Sequence, residues 1–71
     1  MSEEELQRKL KREGLRLRIS LLKRRLWQLV EEMITEAKNI DEFELYELKI
    51  VELKNFIAEL ERELKELEGR T

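Results

Sequence analysis

Residues 46–67 read YELKIVELKNFIAELERELKEL. Within them Tyr46, Ile50, Leu53, Ile57, Leu60, Leu64 and Leu67 recur at alternating spacings of four and three. That is a heptad seam, the apolar stripe one helix presents to another. Asp41 supplies an oxygen for the free amides at the helix start, and Glu44, three residues on, completes a capping box. Ile40 and Leu45 fit the hydrophobic staple that accompanies such a cap. Gly69 fits a left-handed helix end. The predicted helix, about 41–68, is about 40 Å long at 1.5 Å per residue.

The first half carries a matching seam: Leu15, Ile19, Leu22, Leu26, Leu29 and Met33, again four and three apart. It predicts a helix over about 15–38. Lys38, Asn39 and Ile40 form the connection, with Asn39 suited to a left-handed helix end. So short a link makes the two helices antiparallel neighbours. Pairing in register leaves residues 3–11 overhanging the end of the second helix. Ser2 and Glu5 have capping-box spacing, and Leu6 and Leu10 share a helical face, so residues 3–13 are a helical extension. Gly14 costs about 1 kcal/mol in a helix relative to Ala. It either lies within one long helix or separates the extension from the hairpin. The whole chain, 1–71, is expected to be a single α-helical domain.

Composition agrees with an all-α fold and excludes several functions. Charged residues make up 45% of the 71 residues and hydrophobic ones 41%, yet the net charge is only −2 and the apolar residues are patterned, unlike those of a disordered chain. Glu, Leu, Lys and Arg dominate, all good helix formers. With no Cys, His or Pro, the chain has no disulfide, no Cys or His metal site and no catalysis resting on either residue. No Gly-rich phosphate loop, EF-hand loop or nucleophile motif is present. The many Glu lack the Glu-x-x-His partner of di-iron bundles and read as solvated faces. The expectation is a non-enzymatic protein with no cofactor and no small-molecule ligand. The longest apolar run is Phe56, Ile57, Ala58, too short to span a membrane. The chain opens on Glu3, Glu4 and Glu5 rather than a basic and apolar leader. A cytoplasmic location is the corresponding expectation.

The apolar width exceeds what one hairpin uses. Seven of the twelve residues 26–37 are apolar, and so are nine of the fifteen residues 43–57. A two-helix contact needs only a narrow stripe. The surplus predicts that two hairpins join near their turns as a homodimeric four-helix bundle, or that another helical protein covers the surface. Trp27, Val30, Ile34, Phe43, Leu48, Val51 and Phe56 are the expected interface. A monomeric three-helix arrangement has only Leu6 and Leu10 to cover that surface.

Charge is distributed unevenly. Residues 8–25 hold Arg8, Lys9, Lys11, Arg12, Arg16, Arg18, Lys23, Arg24 and Arg25 against Glu13 alone, a net of +8, while residues 26–71 have a net of −7. Antiparallel pairing sets the basic segment beside Glu59, Glu61, Glu63, Glu66 and Glu68, where Arg62, Lys65 and Arg70 also lie. Flanking charges of this kind set helix orientation and partner choice. They leave a basic surplus with Arg16, Arg18, Arg24 and Arg25 as candidate nucleic-acid contacts.

Residues 15–21, Leu-Arg-Leu-Arg-Ile-Ser-Leu, alternate apolar and polar as a strand would. A basic strand followed by two helices resembles the ribbon-helix-helix DNA-binding family over residues 15–57. That resemblance implies strands paired across a dimer, with Arg16, Arg18 and Ser20 in the major groove. The second helix, opening on Asp41, Glu42 and Glu44, departs from the family pattern, as does the length of both helices. Leu and Arg favour helix, and the heptad series runs through the same residues, so helix is the expected state.

Two functions therefore stand as expectations: a helical-bundle assembly or interaction module, and a small dimeric nucleic-acid-binding protein using residues 8–25. The Glu-Lys-Leu bias and capping signals suit a designed bundle or a protein adapted to heat.

Overall fold

The computed structural model describes residues 2–69. They form two helices, α1 over Glu3–Glu36 and α2 over Ile40–Gly69, packed as an antiparallel hairpin. Ser2 caps α1, its hydroxyl accepting from the Glu5 amide at 3.2 Å. Three acidic residues, Glu3, Glu4 and Glu5, then occupy the first turn, where the helix dipole favours negative charge.

The extension and the first helix of the hairpin are one continuous element. Gly14 lies inside α1 with an ordinary negative φ. Strong helix formers on both sides carry the chain through it. Residues 3–10 of the expected 3–11 overhang are exposed, while Lys11 is tied to Glu63 of α2 at 3.6 Å. Helix also prevails at 15–21, and no strand exists among the described residues. A half-buried strand would bury Leu15, Leu17, Ile19 and Leu21 together. The helix buries Leu15 and Ile19 but leaves Leu17 63% and Leu21 53% exposed. The strand that the ribbon-helix-helix resemblance requires is absent.

The turn differs from the expected one. Ala37 leaves α1 in an extended conformation, its amide donating to the Met33 carbonyl at 3.3 Å. Asn39 rather than Asp41 caps α2: its Oδ1 accepts from the Glu42 amide at 2.9 Å. The Glu42 carboxylate in return accepts from the Lys38 amide at 2.8 Å. The box thus sits two residues earlier than the Asp41 and Glu44 frame, because α1 ends at Glu36 and Asn39 is the residue entering α2. No left-handed residue is needed: neither Asn39 nor Gly69 has a positive φ, and Gly69 extends the last turn. Ile40 and Leu45 are 67% and 60% exposed, so they form no buried staple.

The seam is as expected. Leu15, Ile19, Ile57 and Leu60 form the buried core, with Leu22, Leu26, Leu53, Leu64 and Leu67 packed against it. Leu29 is buried nearer the turn. Ion pairs cross between the helices among the described residues: Lys11 to Glu63 at 3.6 Å, Arg16 to Glu68 at 3.5 Å and Lys23 to Glu61 at 3.4 Å. Each is half exposed and contributes about 0.2–1 kcal/mol. Their value is to fix the antiparallel register.

The hairpin is a rod of 56 × 15 × 12 Å. Its radius of gyration is 16.5 Å, against about 11 Å for a compact domain of this length. Among the described residues no large side chain is completely buried.

Candidate interaction surface

The hairpin is a layer one helix thick, so it has two broad sides. A helix turns once in about 3.6 residues, which places residues three, four and seven apart on a common face. The ion pairs label the sides. Arg16 and Lys23, which reach Glu68 and Glu61, lie on the row that continues through Trp27, Val30 and Ile34 on α1. On α2 the rows of Glu61 and Ala58 lead back through Val51 toward Phe43 and Ile40. This first side is charged at the open end and richer in apolar residues near the turn, where Glu47 and Lys54 also lie on the α2 row. Trp27, Ile34, Ile40 and Val51 are 67%, 71%, 67% and 53% exposed. Val30 and Phe43 are half-buried at its inner edge.

Lys11, which reaches Glu63, marks the second side. Here α1 presents Leu10, Leu17 and Leu21, and α2 presents Leu45, Leu48 and Phe56, all substantially exposed. Of the expected interface residues, Trp27, Val30, Ile34, Phe43 and Val51 therefore share one side, while Leu48 and Phe56 lie on the other. Leu45, inside the wide segment 43–57, belongs to the exposed apolar surface, as do Leu10, Leu17 and Leu21, which lie outside the turn-proximal segments. Their signal was in the sequence: residues 10, 14, 17 and 21 repeat the four-three spacing as a second row on α1.

The candidate nucleic-acid residues do not converge. Arg16 is held by Glu13 at 2.6 Å and by Glu68. Arg25 reaches Glu32 at 3.5 Å. Arg18 and Arg24 make no ion pair among the described residues. The four spread around α1, with Arg16 on the first side, Arg18 and Arg25 on the second, and Arg24 at the outer edge of the second beside Leu17 and Leu21. They do not form a single positively charged strip. Arg70, the last basic residue, lies outside the described residues.

Tyr46 closes the turn-proximal end of the seam. Its hydroxyl donates to the Glu36 carboxylate at a long 3.5 Å, and the Lys49 ammonium sits 5.7 Å from its ring centre. Partial desolvation, then the carboxylates of Glu36 and Glu32, push its phenol above the usual tyrosine range. The grooves on the hairpin are shallow and open to solvent; one runs along Asp41, Glu44, Leu45 and Leu48 on the second side. Among the described residues no three acidic side chains converge as a metal site. No described helix is long and apolar enough to cross a membrane.

Comparison with protein-family models, with curated proteins and with solved structures found no match to this chain.

Proposed function

We propose that the chain is a non-enzymatic assembly module whose hairpin pairs with a second copy to make a four-helix bundle. The observation that carries this reading is the exposed apolar surface. The chain exposes 5929 Å², whereas a compact monomer of this mass exposes about 4,700 Å². The excess of about 1,200 Å² is larger than the roughly 800 Å² each partner buries in a standard interface. On the side bearing Trp27, Val30, Ile34, Phe43 and Val51, the exposed Trp27, Ile34 and Val51 lie in the turn-proximal half. Covering Trp27 and Ile34, each exposed by about two thirds, supplies apolar burial at about 25 cal/mol per Å².

The test introduces a charge at that side. Ile34→Glu places a carboxylate at an exposed site of the single hairpin, where it costs little. In a packed interface it loses hydration without gaining a partner. The expected result is a lower solution mass than wild type with helical content retained. Val30→Glu should act in the same direction. Wild-type mass and melting temperature in both variants would remove the proposal.

A further inference from the structure

The second side carries a pattern that the single hairpin leaves unused. On α1, Leu10, Leu17 and Leu21 form an exposed row, and Gly14 sits at the matching position between Leu10 and Leu17. Nothing lies within 4 Å of where a Gly14 side chain would start, so no contact within the chain requires a glycine there. Arg18 and Arg24 flank this row. On α2, Leu45, Leu48 and Phe56 form a row interleaved with Glu52 and Glu59 at the same three-and-four spacing, and Asp41 opens it. None of these five charged groups makes an ion pair among the described residues. The two rows sit at opposite ends of the hairpin, because α1 contributes its N-terminal half and α2 its turn-proximal half. Together they cross the second side as a diagonal stripe, basic at one end and acidic at the other.

We infer that this stripe is a second interface between copies of the chain, in which the Leu10–Leu17–Leu21 row of one copy docks on the Leu45–Leu48–Phe56 row of another. A two-fold axis across the middle of the stripe exchanges its ends, so the basic row of each copy meets the acidic row of its partner. The apolar residues supply buried area, and Gly14 lets the facing helix approach the α1 backbone. Arg18 and Arg24 lie opposite Glu52 and Glu59, which fixes orientation. The pairing also gives a use to basic charge that the ion pairs within the hairpin do not neutralise. It extends the self-association proposed above, but it uses the other side of the layer and so stands or falls by different residues.

The test is a charge exchange read by sedimentation equilibrium, with circular dichroism confirming retained helix. Arg18→Glu combined with Arg24→Glu sets like charges against the acidic row. Glu52→Lys combined with Glu59→Lys sets them against the basic row. Each double variant alone should lose mass relative to wild type, with self-association at this interface weakened by about tenfold or more. An equimolar mixture of the two should recover higher-mass species, because each variant restores opposite charge to the other. Gly14→Gln is an independent probe: it adds a helix-favouring side chain in open space of the single hairpin, yet should lower the mass by blocking approach. Wild-type mass in both double variants and in Gly14→Gln would overturn the inference, as would a mixture that does not recover. Ile34→Glu tests the first side separately, so failure of one interface is distinguishable from failure of the other.

Discussion

Asn39 shows how much depends on one side chain at the turn. Its amide oxygen satisfies the Glu42 N–H, and the Glu42 carboxylate answers the Lys38 N–H. A cap of this kind is worth about 0.5–2 kcal/mol. Asn39→Ala should therefore lower hairpin stability by about 1 kcal/mol, measured by urea unfolding. Asp41→Ala, one residue inside α2, should cost less, only a first-turn dipole contribution of about 0.3–1 kcal/mol. Equal losses, or a larger loss at Asp41, would contradict the cap seen here. Both boxes, Asn39 with Glu42 and Asp41 with Glu44, are written in the sequence with the same spacing. Local pattern could not choose between them, because the choice depends on where α1 stops. The same holds for the left-handed ends suggested by Asn39 and Gly69. Those residues permit such a conformation, and the backbone did not need it.

At the scale of the element, the two seams were legible because heptad spacing is a property of the sequence itself. Ile57, the most buried of the core residues at 4% exposure, and Leu60 meet Leu15 and Ile19 on α1. Ile57→Ala should cost about 2–5 kcal/mol, enough to unfold so thin a hairpin in a thermal melt. A variant that melts with wild type would mean that this seam does not hold the helices together. The alternation at residues 15–21 was ambiguous for a physical reason: α1 is apolar on more than one side. Leu15 and Ile19 serve the hairpin, while Leu17 and Leu21 lie on the second row, and their sum mimics a strand pattern. The continuity through Gly14 also lay beyond local pattern. A glycine weakens a helix by about 1 kcal/mol, but the strong formers that run from Glu3 to Glu13 and onward from Leu15 within α1 outweigh that cost.

At the scale of the whole molecule, the hairpin resembles a slice of a larger bundle. Its core is one seam wide, and both broad sides retain large apolar side chains. The width of the apolar segments announced this surplus in the sequence. Its division into two sides needed the packed hairpin, because only the ion pairs at Lys11, Arg16 and Lys23 show which flank of α1 shares a side with which flank of α2. The basic surplus of residues 8–25 is likewise divided. Lys11, Arg16 and Lys23 are turned to α2 and Arg25 to its own helix, while Arg8, Lys9, Arg12, Arg18 and Arg24 make no ion pair among the described residues; the proposed second interface uses Arg18 and Arg24.

Self-association is the claim on which the rest depends, and solution mass tests it most directly. Sedimentation equilibrium of the wild-type chain, from micromolar to hundreds of micromolar, should give a mass of at least two chains throughout the upper part of that range. A single-chain mass at every concentration would contradict the account, because the exposed rows on both sides of the hairpin would then be facing water.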